Sequence, residues 1–428
     1  MSVQTPYSSP STQSIDSQQY PQIVALDIGT SQIIIVVANV LPNGAIQVCG
    51  IGQQSSNGCM RKGMVINIDA TVEAINATIK EAQLMSEKQF SLVWTGVAGG
   101  HIKSSNSEGV VAIGDQEVTK SDMDRALETA KAIPIGSEMQ VLHAIAQEYV
   151  VDNQEGVSDP MGMAGVRLKV KVHIVTGAVS SVTNIVKCIT RCGLKVADVS
   201  LQPLASATAV LTRDEKDLGV VLIDIGGGTT DIAIFSGGAV RHTAVIPVAG
   251  DHITNDIAMA LRTPTAEAED LKIRWGVAKR DLVNSNERLE VPGLGGDREA
   301  RMISRQNLSS VIEPRVEELF SLVQKVIQQS GCEHLLSSGV VLTGGSSLMP
   351  GMQELAEDVF ARPVRIGVPQ YTGSFADIVR NPRFSTVMGL LEDAKKQIVD
   401  TTPTAPVHVA DTTDFIKSTF KKMKGWFY

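Results

Sequence analysis

The chain has 428 residues, more than one hydrophobic core usually supports, and about 150 residues per domain suggests roughly three compact units. Its 43% hydrophobic and 20% charged residues are those of a folded globular protein, and a net charge of −8 gives the chain as a whole no electrostatic reason to coat nucleic acid. The longest apolar runs, such as Ile33 to Ala38, fall far short of the roughly 18 to 20 residues that span a bilayer.

The first 21 residues are rich in Ser, Gln and Pro. They lack the basic and apolar regions of a secretory signal and read as a disordered cytoplasmic tail. From Ile23, IVALDIGTSQIIIVVANV alternates as two strands joined by a tight turn at Gly29, Thr30 and Ser31. The arrangement returns in VVLIDIGGGTTDIAIF from Val220, with Asp224, Ile225 and Gly226 repeating Asp27, Ile28 and Gly29, which points to two related α/β lobes.

A second echo pairs VHIVTGAVSS after Lys171 with GVVLTGGSSL after Ser338, each a strand, Thr-Gly and then a helix. In the later copy Met352, Leu355, Ala356, Val359 and Phe360 form the stripe of a helix packed on a sheet. Lobe cores are therefore expected over 22–96 with 172–212 and over 213–249 with 325–391. Inserted subdomains are expected at 97–171 and 250–324. The second insertion holds a helix start at Thr263-Pro264 and closes on a helix that a Ser310 and Glu313 capping box would open. Residues 392–410 read as a flexible linker rich in Thr and Pro.

The five cysteines lack zinc or disulfide spacing, and Cys188 and Cys192, sharing a helical face, read as packing residues. His143 in VLHAIA reads as a core residue. Phosphates bound with a divalent cation need close backbone N–H donors and a carboxylate for the metal's water shell. Both hairpins offer this: Asp27 with Gly29, Thr30 and Ser31, and Asp224 with Gly226, Gly227, Gly228, Thr229 and Thr230. Facing lobes would clamp one polyphosphate between them, with Asp27 and Asp224 holding Mg2+ through water. A third glycine site, Gly344, Gly345 and Ser346, lies where a strand gives way to a helix and would let a purine and ribose lie against backbone. No Walker A or G-x-G-x-x-G sequence follows a strand, which removes the main support for P-loop and dinucleotide sites.

These three motifs, DIGTSQ, DIGGGTTDIAIF and VVLTGGSSLMPG, resemble the two phosphate motifs and the adenosine motif of the actin/Hsp70/sugar-kinase ATPase superfamily. The stretches from Leu142 to Val175 and from Gly237 to Ala258 are more specific and resemble the FtsA family of bacterial cell-division proteins. The resemblance implies ATP and Mg2+ as ligands and a two-lobed actin-like fold. It also implies that the first insertion is the family's extra subdomain, which meets the next subunit of a filament. In actin relatives Gln202's place holds a Gln or an acid; here it reads equally as a water-positioning residue and as the polar start of a helix.

Function follows by the same resemblance: a cytoplasmic ATP-binding protein, at most a slow ATPase, that polymerises at the division septum. It would tie the tubulin-like FtsZ ring to the inner membrane and recruit late divisome membrane proteins. The second insertion would bind FtsZ's C-terminal peptide, with Arg301 and Arg305 as candidates. In 411–428, Ile416, Phe420, Met423 and Phe427 form one helical stripe that Phe415 and Trp426 widen, opposite Lys417, Lys421 and Lys424. Four lysines against two aspartates give the segment +2, suited to an anionic membrane surface. A small-molecule kinase of the superfamily, or a pilus-assembly relative, is the rival reading; neither calls for such an amphipathic end.

Overall fold

The computed structural model describes residues 20–56, 58–293 and 300–401. Its first lobe opens with a meander, β1 (Gln22–Ile28), β2 (Gln32–Val40) and β3 (Ile46–Ser55), followed by the short pair β4 (Met60–Arg61) and β5 (Met64–Val65) and by α1 (Ile68–Ser86). Asn67 caps α1 by accepting from the Ala70 N–H at 3.0 Å. β6 (Leu92–Val97) returns parallel to β1. The chain then leaves the lobe through β7 (Lys103–Ala112), α2 (Lys120–Lys131), β8 (Met139–Val151), β9 (Gln154–Val157) and β10 (Arg167–Ala178), which form a separate sheet in the order β7-β10-β8-β9. α3 (Val179–Arg191) and β11 (Lys195–Leu201) complete the lobe I sheet, ordered β11-β6-β1-β2-β3.

Helices α4 (Gln202–Val210) and α5 (Arg213–Leu218) lead into the second lobe. There β12 (Val220–Ile225), β13 (Thr230–Ser236) and β14 (Ala239–Ile246) repeat the meander. An insertion follows: α6 (Gly250–Leu261), α7 (Thr265–Trp275), the pair β15 (Arg288–Val291) and β16 (Arg301–Ser304), and α8 (Arg305–Gln329). β17 (Val340–Thr343), α9 (Met352–Phe360) and β18 (Val364–Ile366) close the sheet as β14-β13-β12-β17-β18, and α10 (Ala376–Val379) and α11 (Ser385–Thr401) end the described chain.

The two sheets share one topology, an antiparallel meander extended beyond its first strand by two parallel strands. β12 pairs with β17 as β1 pairs with β6, both parallel, so β6 is the lobe I counterpart of β17. The second echo therefore differs from the expectation. The strand after Lys171 is β10, which lies in the inserted sheet between β7 and β8 and runs on to Ala178. The first insertion thus extends past the expected boundary at 171.

Two further expectations are corrected. α8 begins at Arg305 under a Ser304 cap that accepts from the Asn307 N–H at 3.2 Å, while Ser310 sits inside the helix and donates to the Asn307 carbonyl. Residues 392–401 are the last turns of α11 and not linker: Ala394 is fully buried and Gln397 accepts from the Trp94 indole N–H at 2.9 Å. Three of the four apolar cores lie within lobe I, within lobe II and within the inserted sheet; the fourth joins both lobes through α4 and α11. The N-terminal tail up to residue 19, the linker from 402 and the segment 411–428 lie outside the described residues. Among the described residues no helix is long and apolar enough to cross a membrane.

Candidate nucleotide cleft between the lobes

Each meander makes the same tight turn. The Gly29 N–H donates to the Gln32 carbonyl at 2.9 Å, and the Gly226 N–H donates to the Thr229 carbonyl at 3.0 Å. The two turns face each other across a cavity of about 270 Å3 between the lobes. Their tips approach so closely that a Cβ on Gly227 would lie 2.0 Å from Ser31 Oγ, and one on Gly228 2.5 Å from Thr30 Oγ1. Gly344 has φ of +84°, and a Cβ there would lie 2.3 Å from Asp224 Oδ1, so only glycine fits against that carboxylate. Gly345 is less crowded, with the Arg383 side chain 3.4 Å from a Cβ added there.

Of the residues singled out from the sequence, Asp27, Gly29, Thr30, Ser31, Gln202, Asp224, Gly226, Gly227, Gly228, Thr229, Gly344, Gly345 and Ser346 all line this cavity. Thr230 is the exception. It is fully buried in β13, pairs with Ile225, and spends its hydroxyl on the Val248 carbonyl at 2.8 Å. Ser346 Oγ donates to the Gly226 carbonyl at 2.8 Å and so ties the third glycine site to the second turn.

Asp27 accepts from the Gln202 side-chain amide at 2.7 Å, and Asp224 accepts from Ser206 Oγ at 2.6 Å. Gln202 therefore holds a carboxylate in place. A third acid, Asp231, was not singled out from the sequence although it belongs to the same DIGGGTTD motif. It accepts from Thr229 Oγ1 at 2.9 Å, and its Oδ1 is buried without a partner.

Burial raises all three carboxyls above the usual carboxylate range. Asp27, pushed further by the charge of Asp224, rises to about 7, and Asp224 to about 6. Asp231, also under the charge of Asp224, rises to about 8. Three acids at one cavity, one with an orphaned oxygen, suit a bound cation. Among the described residues no group of three or more His, Cys, Asp or Glu is placed to hold a metal ion directly.

Lys272 and Glu269 on α7, and Arg383, also line the cavity without a local motif to announce them. Lys272 Nζ pairs with Glu269 at 2.7 Å and donates to Thr254 Oγ1 at 2.8 Å.

A carboxyl whose folded pKa is raised contributes stability that is complete below its unfolded pKa of about 4 and is lost as pH rises through the folded value. The ligand-free protein should therefore gain from Asp231→Asn progressively as pH rises from about 5 to about 8 and level off above, read as the difference in thermal midpoint between variant and parent. A constant difference over that range would contradict the raised Asp231 carboxyl.

The family model for cell division protein FtsA matches residues 221–389, and the model for the SHS2 domain inserted in FtsA matches residues 99–176, ending inside β10. The chain is 54% identical to cell division protein FtsA of Pseudomonas aeruginosa over 374 residues, covering 87% of this chain and 89% of that one. It is 41% identical to the Escherichia coli K12 protein of the same name over 411 residues, covering 94% and 97%. Among solved structures it superposes on the PilM-PilN type IV pilus biogenesis complex with a TM-score of 0.62 at 16% identity, covering 87% of this chain and 98% of that one. MreB5 of Spiroplasma citri bound to ADP gives a TM-score of 0.52 at 16% identity, covering 89% and 99%. The fold is the two-lobed actin-like ATPase fold, and the chain belongs to the FtsA family of cell division proteins.

Proposed function

We propose that this protein binds ATP with Mg2+ in the cleft between its lobes and uses the nucleotide as an assembly switch. On this reading it polymerises and anchors the FtsZ ring to the cytoplasmic face of the inner membrane as a peripheral protein at the septum, where it recruits late divisome membrane proteins. The observation that carries the nucleotide reading is the pair of equivalent glycine turns, one from each lobe, closing on three raised carboxyls. Gly29, Thr30 and Ser31 on one side and Gly226, Gly227, Gly228 and Thr229 on the other would take the phosphates. Asp27, Asp224 and Asp231 would face the hydrated cation, which offsets phosphate charge when bound. Asp224→Ala should weaken Mg2+-ATP more than metal-free ATP in calorimetric titrations; equal losses would remove Asp224 from the cation's shell.

The second insertion supports a site for an acidic, apolar peptide such as FtsZ's C-terminus. Arg301 on β16 is exposed, and beside it Met302 is 64% exposed. Arg305 is held differently: it pairs with Glu287 at 2.7 Å, donates to the Trp275 carbonyl and lies over the Trp275 ring. On this reading Arg301 pairs with peptide carboxylates while Arg305 orients Trp275 as an apolar wall. Arg301→Glu should lower affinity for the FtsZ peptide about ten-fold in fluorescence anisotropy, and an unchanged affinity would displace the site.

Residues 411–428 would form the membrane anchor, Phe415, Ile416, Phe420, Met423, Trp426 and Phe427 entering the interface and Lys417, Lys421 and Lys424 facing anionic headgroups. At about 1.5 to 3 kcal/mol per large buried side chain, before ordering costs, one such helix binds reversibly, and a filament multiplies it. A chain ending at Ala410 should lose co-sedimentation with anionic vesicles and keep ATP binding; retained co-sedimentation would place the anchor elsewhere.

A further inference from the structure

The inserted subdomain has a core of its own, built from α2 and its sheet. Toward lobe I it is continuous: Ile102, Leu142 and Val175 belong to the lobe I core, and the Leu201 N–H donates to His143 Nε2 at 2.9 Å. Toward lobe II it meets the edge strand β14, where Val245 packs against the lobe I core, Ile145 packs against the shared core that holds Val240, and a row of polar side chains adds hydrogen bonds. Ser104 Oγ donates to the Thr243 carbonyl at 2.7 Å, and Gln147 Nε2 donates to the Val240 carbonyl at 2.7 Å. His173, 1% exposed, spans the remaining gap. Its Nδ1 lies 2.7 Å from Asn106 Oδ1, which can only accept, so its Nε2 accepts from Thr243 Oγ1 at 2.9 Å. A subdomain fused to lobe I by shared apolar packing is thus tied to lobe II by a small apolar contact and by side chains that cap an edge strand's carbonyls.

β14 is also the strand that delivers the second glycine turn its support. It ends at Ile246, and within four residues the chain has passed Val248, whose carbonyl holds Thr230, and reached Gly250, whose N–H donates to the Gly226 carbonyl at 3.2 Å. Whatever moves β14 relative to lobe I moves that turn relative to the Gly29 turn.

We propose that Ser104, Asn106, Gln147 and His173 form a releasable clasp between the inserted subdomain and β14 that sets the angle between the lobes and, through it, the rate at which the cleft exchanges its ligand. Hydrogen bonds to a strand edge can be given back to water at small net cost, whereas apolar packing of the kind that joins the lobes through α4 and α11 cannot, so the clasp opens and the hinge persists. A partner that pulls the inserted subdomain away from β14 would by the same route loosen the cleft. The effect on exchange rests on the nucleotide reading above; the effect on the lobes does not.

The test uses the full-length chain and two variants that add no bulk, Ser104→Ala with Gln147→Ala, and Thr243→Val. Amide hydrogen exchange is followed at residues 29–31 and 226–230 without ligand, and release of a fluorescent ATP analogue is followed by competition with excess ATP. The double variant should speed both about thirty-fold, the factor for losing two hydrogen bonds of ordinary net strength, and leave exchange in α9 unchanged. Thr243→Val should do the same to a lesser degree. Unchanged exchange at the two turns overturns the clasp. Faster exchange there with an unaltered release rate overturns its control of the ligand. If the parent retains no analogue the cleft reading fails, and hydrogen exchange alone then decides the clasp.

Discussion

Three carboxyls that would each prefer water are kept together at the bottom of a cleft, and much of the molecule serves to hold them there. Asp27 comes from the end of β1, Asp224 from the end of β12 and Asp231 from β13, so the cluster exists only when both lobes are in place. Each is steadied by a neighbour of a different origin: Gln202 at the start of α4, Ser206 one turn later, and Thr229 in the turn itself. Burial lifts all three pKa values, the charge of Asp224 lifts Asp27 and Asp231 further, and a hydrated cation with its phosphates would remove that penalty. A ligand-free cleft is thus electrostatically frustrated, and the ligand supplies the missing charge.

The surrounding architecture keeps the frustration tolerable. Ser206 and Thr386, from α4 and α11, both approach Asp224 Oδ2, and the same two helices form the core shared by the lobes. Gly389 lets α11 lie against α4, since a Cβ there would fall 1.7 Å from the Ala205 carbonyl. The pivot between the lobes and the support of the central acid are therefore one structure. From that pivot α11 runs out to Thr401, and Gln397 near its end accepts from the Trp94 indole N–H of lobe I.

What the sequence discloses follows from how local each feature is. The hairpins were legible because strand alternation, the turn glycine and the acid before it all lie within about twenty residues, and their repetition signalled two lobes. The echo at Lys171 misled because strand, Thr-Gly and helix is a local description, while membership of a sheet is decided by distant pairing: β10 lies between β7 and β8, and the counterpart sits at Leu92–Val97. Thr230 was assigned to the site by adjacency, but the pleat turns it toward Val248 and leaves Asp231, next along, to reach the cavity. The end of α11 was hidden because its contact face, Ala394, Gln397 and Ile398, carries only two apolar residues among charged ones. Lys272 and Arg383 reach the cleft from an insertion and from a turn, and nothing in their neighbourhoods announces it.

The account is tested most directly by the protons that move when the cleft fills. Calorimetric titration of Mg2+-ATP into the protein at pH 7.5, repeated in buffers of different ionisation enthalpy, counts protons exchanged on binding. If hydrated Mg2+ and phosphates relieve three raised carboxyls, binding must release protons to the buffer, and Asp231→Asn must reduce that release. Binding with no proton release, or with a release that the substitution leaves unchanged, would contradict the claim that this cluster is what the ligand completes.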